Sequence, residues 1–231
     1  MTETLFDLSE QYEEMLRMGV SLSGEDPAYF MRERIRDLRK NLPSGWSPAR
    51  ILDFGCGTGE SAAYLQETFP GAAVLGIDTA ENAIQLAERR HGSSSIRFGL
   101  LEAVRGEAPF DLCYVNGVFH HIEPGDRLAA AVGIYEALAP GGYFALFENN
   151  PWNPGTRMVM RRIPFDRDAI TLSYLETQKL VKRAGFQTPR SARFLFYFPK
   201  MLRILRPMEP ALAGLPFGAQ YYVLARKLQA L

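Results

Sequence analysis

The stretch Ile51-Leu-Asp-Phe-Gly-Cys-Gly-Thr-Gly-Glu60 decides the fold of this chain of 231 residues. An apolar run ends in Asp53, and a segment with helical periodicity begins at Ser61. Between them three glycines stand at alternate positions: Gly55, Gly57 and Gly59. The pattern predicts a buried strand, a tight turn and a helix, which together place a small polar ligand over a helix N-terminus. Glycine permits positive φ and has no Cβ, so the ligand can lie against the main chain.

The composition is that of an ordinary globular α/β protein. Apolar residues make up 47% of the chain, charged residues 23%, and the formal net charge is zero. This balance favours neither a nucleic-acid nor a membrane protein. The distribution is uneven, because residues 1–149 carry 12 Lys/Arg against 22 Asp/Glu and residues 150–231 carry 14 against 4. Either an anionic partner or two oppositely charged parts of one surface would account for the asymmetry.

The two cysteines, Cys56 and Cys113, are far apart and lack the spacing of a zinc site or a disulfide scaffold. The acidic N-terminus does not resemble a signal peptide, and no apolar run reaches 18 residues. We therefore expect a cytoplasmic protein.

Apolar runs alternate with helical periodicity through the middle of the chain, which predicts βαβ units and a largely parallel sheet. The expected strands are Arg50–Phe54, Ala73–Ile77, Ile96–Leu100, Leu112–Val115 and Tyr143–Phe147, with later β segments near Arg193–Tyr197 and Gln220–Ala225. The expected helices are Leu5–Met18, Pro27–Leu42, Glu60–Phe69, Ala80–Arg90, Arg127–Ala139 and Thr171–Ala184, and Pro140-Gly-Gly142 is expected to stop the fifth of these.

We expect a single domain in three parts. Residues 1–45 would form an N-terminal helical lid, residues 46–148 a cofactor-binding core, and residues 149–231 a substrate-side insertion with the C-terminal strands.

The glycine spacing separates two classes of nucleotide fold. A dinucleotide fingerprint reads GxGxxG, and its third glycine would fall at Glu60. A second acid, Asp78, ends the next strand, where an adenosine ribose lies in doubly wound folds. One carboxylate can accept hydrogen bonds from both ribose hydroxyls. The competing interpretation, that Asp78 caps the helix near Ala80, is less favoured given the glycine motif at the right distance.

Four motifs in order resemble those of class I S-adenosylmethionine-dependent methyltransferases. They are the glycine motif, Asp78, the Glu102-Ala103 pair after the third strand, and the segment from Phe110 through Asn116 to His120-His121. The turn Pro140-Gly-Gly142 adds to the likeness, which covers roughly residues 50–150. The resemblance implies a Rossmann-like, doubly wound, seven-stranded and mostly parallel sheet with an antiparallel final strand and added N-terminal helices. It also implies S-adenosyl-L-methionine as the cofactor.

The resemblance assigns a cofactor role to ten positions. Asp53 would face the α-ammonium group, Asp78 the ribose, Glu102 the adenine amino group and Asn116 the methionine part of the cofactor. The full set is Asp53, Gly55, Cys56, Gly57, Gly59, Asp78, Thr79, Glu102, Ala103 and Asn116.

Three residues are the candidates for catalysis. His120 and His121 follow the fourth strand, and Glu148 ends the fifth, so all lie at the edge where cofactor and acceptor should meet. One histidine would act as a base, with His120 slightly favoured, or both would only pack and line the pocket. The same three side chains would also suit a divalent metal, but the set is not diagnostic and we expect no metal.

Basic and aromatic segments of the sequence indicate where an acceptor would bind. Arg157, Arg161 and Arg162 follow a Pro- and Asn-rich stretch and would bind phosphate or carboxylate groups. The run Arg193–Arg206 mixes bulky apolar residues with cations. It would either be a strand followed by an amphipathic core helix, which we favour, or border a lipid-like substrate or an anionic membrane. By analogy of fold, Tyr12 and the turn at residues 21–26 would cover the cofactor.

These observations predict methyl transfer to a small-molecule acceptor, with O-methylation of an anionic, glycan or lipid-linked metabolite the best-supported version. We expect no nucleic-acid partner, because the strand-4 segment lacks the Pro-Pro signature of base methylation. Two alternatives stay open: a non-catalytic S-adenosylmethionine-binding regulatory or assembly protein and, less favoured, an NAD-dependent oxidoreductase.

Overall fold

The computed structural model describes residues 9–167, 169–187 and 192–228. Its strands are β1 (Arg50–Phe54), β2 (Ala73–Asp78), β3 (Ile96–Leu100), β4 (Phe110–Asn116), β5 (Leu138–Asn149), β6 (Arg193–Leu195) and β7 (Gln220–Arg226). Its α-helices are α1 (Ser9–Val20), α2 (Pro27–Asn41), α3 (Glu60–Thr68), α4 (Glu81–His91), α5 (Arg127–Ala137), α6 (Pro154–Arg162), α7 (Tyr174–Arg183) and α8 (Glu209–Leu212).

The seven strands form one sheet in the order β3-β2-β1-β4-β5-β7-β6. The first five pair in parallel, whereas β7 runs antiparallel to both β5 and β6. The order reverses between β1 and β4, and loops at such a switch point form the ligand crevice of doubly wound folds. The expected sheet, including its antiparallel final strand, is confirmed.

Both faces of the sheet are covered, as its apolar strands require. In β4, Cys113 and Val115 belong to the cluster that contacts α5 and α7, and Leu112 and Tyr114 to the cluster that contacts α2 and α3. Successive side chains of a strand point to opposite faces, so the alternation follows directly from the strand's period of two.

One expected boundary is wrong. The helix expected to end at Pro140 stops at Ala137, and the chain is already extended at Leu138, whose ψ is 144°. Proline disfavours helical backbone at the residue before it, which is Ala139 here. Gly141 then takes a φ of 84°, and the register between β4 and β5 shifts there before regular pairing resumes at Tyr143.

A second expectation is also wrong. No residue of Lys200–Met208 is buried, and the segment forms 3₁₀ turns in place of an amphipathic core helix. The exposed fractions of Met201 and Ile204 are 87% and 85%. β6 stops at Leu195, and Phe196 follows with a φ of 62°. This strained turn redirects the chain before the 3₁₀ segment begins.

The N-terminal helix α2 packs against the same face of the sheet as α3. Asp26 caps α2 by accepting a hydrogen bond from the Tyr29 amide at 2.6 Å, with Pro27 in the first turn. The expected helical residues Leu5–Leu8 and the side chain of Tyr12 lie outside the described part of the chain. In that described part, no helix combines the length and apolar character needed to cross a membrane. The three-part division of the domain stays a prediction.

Candidate functional site

The three glycines of the loop after β1 all have positive φ: 76° at Gly55, 52° at Gly57 and 92° at Gly59. They are required for different reasons. A Cβ on Gly55 would lie 2.3 Å from Val118, and one on Gly59 would lie 2.8 Å from Phe98, so neighbouring side chains already fill the space beside both glycines. A Cβ on Gly57 would meet no atom within 4 Å. The loop is therefore open at its centre, where a ligand can contact the main chain.

Asp78, at the end of β2, stabilises this loop by a hydrogen bond to its backbone. Its Oδ2 accepts a hydrogen bond from the Gly57 amide at 2.9 Å, and its Oδ1 accepts one from the Ala80 amide at 3.0 Å. It is not the N-cap of α4, since that position is Ala80. A carboxylate oxygen accepts two hydrogen bonds, so each oxygen retains one acceptor position for a ribose hydroxyl. Thr79 beside it is exposed.

Asp53 lies beneath the loop and is 1% exposed. The Ser61 hydroxyl donates a hydrogen bond to its Oδ2 at 2.6 Å. Burial raises the pKa of the carboxyl to about 7; the Ser61 hydrogen bond opposes the rise, and the charges of Asp78 and Glu60 add to it. A ligand cation would relieve this unfavourable burial of charge. The expected ammonium group of S-adenosylmethionine fits that requirement.

The other expected cofactor residues have mixed environments. Cys56 is buried under the loop, and burial raises the pKa of its thiol, so only its backbone is available to a ligand. Glu102 and Ala103 lie in a 3₁₀ turn directly after β3, with Glu102 exposed. Their contact with adenine stays a prediction. The Asn116 side chain is half-buried, and its Oδ1 has no hydrogen-bond partner among the described residues.

A cavity of about 450 Å³ begins at Asn116 and Gly117. Side chains of α1, α2, α6, the segment after β6 and the turn at His120-His121 line it. Its walls are mainly aromatic and apolar; among them are Phe30, Met158, Ile163, Phe196 and Phe198. The glycine loop and Asp78 do not line it. Because β1 pairs with β4 through Phe54 and Val115, the cavity and the loop are nevertheless neighbours.

The three candidate catalytic residues are brought together, with a fourth that the sequence did not reveal. His120 Nδ1 lies 2.5 Å from Glu148 Oε2, and the Phe119 amide donates to Glu148 Oε1 at 2.8 Å. Asp166 Oδ1 lies 3.4 Å from His120 Nε2 and 3.3 Å from His121 Nε2. His120, Glu148 and Asp166 are buried, and His121 is partly exposed.

Two charges determine the protonation of His120. Burial lowers its pKa, but the charge of Glu148 and the proximity of Asp166 outweigh burial and raise the pKa to about 10. Burial alone would raise the pKa of Asp166, yet the two histidines hold it below its usual value. The site thus favours a positive charge between its carboxylates.

Arg34 is a further residue that sequence reasoning missed. It is 7% exposed, lines the cavity and donates from Nη1 to Gln220 Oε1 at 2.7 Å. Its Nε has no partner, and no carboxylate of the described residues lies within 4.0 Å of the guanidinium. Among the alternating charges of Arg32–Asp37 it looks like a surface residue. The available signal was its spacing of four from both Phe30 and Leu38, which puts all three on one face of the helix.

The arginines expected to bind substrate lie elsewhere. Arg157, Arg161 and Arg162 are exposed on α6 and do not line the cavity, which corrects their expected place. The helix begins at its cap, Asn153, and buries Thr156 and Met160. Helical periodicity therefore turns the arginines away from the protein interior.

The chain is similar in sequence to known methyltransferases. Residues 52–144 match the family described as a methyltransferase domain. A trans-aconitate 2-methyltransferase of Methylobacterium nodulans is 35% identical over 141 residues, which are 58% of this chain and 52% of that protein. A demethylmenaquinone methyltransferase of Thermus thermophilus is 33% identical over 124 residues, covering 52% and 56%. The chain thus spans about half the length of these relatives.

Solved structures share the fold. An S-adenosylmethionine-dependent methyltransferase of Mesorhizobium loti aligns with a TM-score of 0.60 at 22% identity, over 83% of this chain and 96% of that one. Human N-acetylserotonin methyltransferase in complex with S-adenosylmethionine aligns with a TM-score of 0.61 at 18% identity, over 99% and 60%. With its glycine loop, its sheet order and a match to the methyltransferase-domain family over residues 52–144, the chain has the fold of solved S-adenosylmethionine-dependent methyltransferases.

Proposed function

We propose that this protein transfers a methyl group from S-adenosylmethionine to an oxygen atom of a small anionic acceptor held in the 450 Å³ cavity. The observation that carries the proposal is the position of the cavity. It begins at Asn116 and Gly117, at the carboxyl end of β4, beside the open glycine loop that follows the neighbouring strand β1. The reacting ends of a donor and an acceptor would meet there.

The cofactor, when bound, supplies a methyl group on a sulfonium, so the S–C bond breaks as the new C–O bond forms. The residues of the chain contribute orientation and exclusion of water, which are equivalent to roughly 7–11 kcal/mol in favourable cases. The apolar walls at Phe30, Phe196 and Phe198 would limit the access of water once both ligands are bound. Asn116 offers an unpartnered acceptor at the point where the two ligands meet.

Two observations support an anionic acceptor. Arg34 places a buried guanidinium in the cavity without a carboxylate partner among the described residues, and burial of such a charge favours a ligand that neutralises it. Several relatives are also named for methylating trans-aconitate. Glycan and lipid-linked acceptors stay within the proposal as carriers of the same anionic chemistry.

A screen with methyl-labelled S-adenosylmethionine tests this function. The acceptors should include mono-, di- and tricarboxylates, sugar phosphates and quinols. We expect label to appear in a carboxylate or phosphate-bearing product and S-adenosylhomocysteine to accumulate in equal amount. Tight S-adenosylhomocysteine binding without transfer to any member or to cell extract would favour the non-catalytic alternative.

Arg34 allows a sharper test of where the anion binds. The carboxylate of the cofactor and the anionic group of the acceptor would each satisfy the guanidinium. In Arg34→Met, a weaker affinity for S-adenosylhomocysteine would assign Arg34 to the cofactor. A raised KM for the acceptor at unchanged cofactor affinity would assign it to the acceptor. Arg161→Met, which removes an exposed arginine outside the cavity, is the matched control and should change neither constant. If Arg34→Met also changes neither, the buried guanidinium has no role in binding anions.

A further inference from the structure

We propose that His120, His121 and Asp166 form a binding site for a divalent first-row transition-metal ion in the wall of the cavity, with Glu148 orienting His120. All three ligand atoms lie within 4.8 Å of one another. All three residues line the cavity. Binding of the ion itself is independent of the proposed methyl transfer; only its suggested role in that reaction rests on the proposed function.

The distances between the three side chains suit ligands of one shared ion. Asp166 Oδ1 lies 3.4 Å and 3.3 Å from the two histidine Nε2 atoms. These separations slightly exceed the usual range of about 2.7–3.2 Å for a hydrogen bond between nitrogen and oxygen. Two ligand atoms that each lie about 2.1 Å from one ion are about 3.0–3.5 Å apart, depending on the angle between their bonds. The two separations from Asp166 Oδ1 to the histidine nitrogens fall within this range.

The outer residues orient the ligands. Glu148 lies 2.5 Å from Nδ1 of His120 and is itself fixed by the Phe119 amide. A carboxylate on one ring nitrogen directs the other nitrogen toward the metal, as is common for histidines that bind metal ions. His120 Nε2 is buried, has no hydrogen-bond partner among the described residues and belongs to a side chain that lines the cavity.

The backbone holds the three residues in place without help from an ion. The His121 amide donates to the Val118 carbonyl at 3.0 Å, which closes the turn that carries both histidines. The Asp166 amide donates to the Ile163 carbonyl at 3.0 Å. The Ile170 amide then donates to the His120 carbonyl at 3.0 Å and ties the two segments together. The site is therefore preorganised, as a specific ligand set must be.

The ligand chemistry restricts the ion. Two imidazoles and a carboxylate suit Zn²⁺, Co²⁺ and Fe²⁺ better than Mg²⁺ or Ca²⁺, which prefer oxygen ligands alone. Three protein ligands leave at least one coordination position open toward the cavity. In the proposed reaction, an acceptor oxygen would occupy that position and be held beside the donor.

Metal titration of tag-free protein dialysed against a chelator tests the proposal. We expect one equivalent of Zn²⁺ in calorimetry, and visible absorption of bound Co²⁺ typical of nitrogen and oxygen ligands. Asp166→Asn and His121→Ala should each weaken binding by more than about 100-fold, and Glu148→Gln by about 10- to 100-fold, the range of outer-shell partners. His91→Asn removes the remaining histidine, which lies at the end of α4 and faces Glu60 of α3, and should leave binding unchanged.

Three results would overturn the proposal: no stoichiometric binding by the wild type, unchanged affinity in both ligand variants, or a Co²⁺ spectrum with thiolate charge transfer. Affinity for S-adenosylhomocysteine confirms that each variant is folded. If the ligand variants do not fold, the wild-type Co²⁺ spectrum and stoichiometry still decide the question. Failure of the proposed function leaves these metal measurements unaffected, and failure of metal binding leaves the cofactor and acceptor assays intact.

Discussion

At the scale of single residues, burial of Asp53 controls the charge beneath the glycine loop. With its pKa raised to about 7, this carboxyl is largely protonated below neutral pH in the cofactor-free protein. In an unfolded chain the same group titrates near its model value of 3.8. The folded state therefore binds the proton more tightly, and the contribution to stability is lost as the pH rises through about 7. A bound cation would reverse that loss.

We expect S-adenosylhomocysteine to bind more tightly as the pH rises from about 6 to 7.5, because its ammonium group favours the ionised form of Asp53. The affinity should change by up to about tenfold per pH unit below the pKa, since one proton is released on binding. Calorimetry in buffers of different ionisation enthalpy measures that proton directly. Asp53→Asn should bind weakly and with little dependence on pH. A flat wild-type profile would contradict the role assigned to Asp53.

Two glycines that look equivalent in the sequence should respond differently to the same change. Gly57→Ala places a methyl group in open space, so its cost to stability is the left-handed backbone conformation, about 1–2 kcal/mol. That methyl group would nevertheless occupy the ligand's position and weaken cofactor binding strongly. Gly59→Ala collides with Phe98 and Ala87 and should lower the melting temperature more. Equal effects of the two substitutions on both melting temperature and S-adenosylhomocysteine affinity would show that Gly57 does not face the ligand.

At the scale of elements, the strands were predictable and the acceptor side was not. The strands of the parallel half are continuous apolar runs bounded by turn residues, and their local pattern is sufficient to place them. Asp166 could not be anticipated, because it is distant from His120 in the sequence and is brought to it by a 3₁₀ turn and one backbone hydrogen bond. The conformation of Lys200–Met208 was predicted wrongly for a different reason. The apolar spacing of the segment suits an amphipathic helix, but none of its residues is buried, and Arg206 joins it to the protein through an ion pair with Glu25 at 2.9 Å.

This exposed 3₁₀ segment is where the predicted contact with a membrane would occur. Met201 and Ile204 stand exposed beside Lys200 and Arg203, an arrangement suited to an anionic lipid surface. We expect the protein to cosediment with vesicles that contain phosphatidylglycerol, and less so with pure phosphatidylcholine or at high salt. The double variant Met201→Ser/Ile204→Ser should lose this binding.

Leu175→Ser, which removes an exposed apolar side chain from α7, provides the matched control and should sediment like the wild type. If the wild type stays in the supernatant with both kinds of vesicle, the segment is no lipid-binding surface. Equal sedimentation of the double variant would place the contact elsewhere.

At the scale of the whole molecule, the sequence motifs predicted the donor half because a few backbone requirements define it. Positive φ at three glycines, an acid at the end of β1 and another at the end of β2 are all local features. The acceptor half is assembled from α2, α6 and the segments around β6, which come together only in the folded chain. The role of residues such as Arg34 depends on that assembly, because the local spacing from Phe30 and Leu38 places Arg34 on the buried face of the helix without indicating a ligand.

The cavity described above is lined by none of the glycine-loop residues and meets the donor side only at Asn116 and Gly117. The two halves can therefore diverge separately over evolution. Substitution of the cavity-lining residues on α2, α6 and the segment after β6 would change the acceptor preference, and the glycine loop that we propose binds the donor would stay unchanged. For protein engineering, the acceptor specificity of this chain should therefore be changeable by substitutions in the cavity walls, without redesign of the glycine loop.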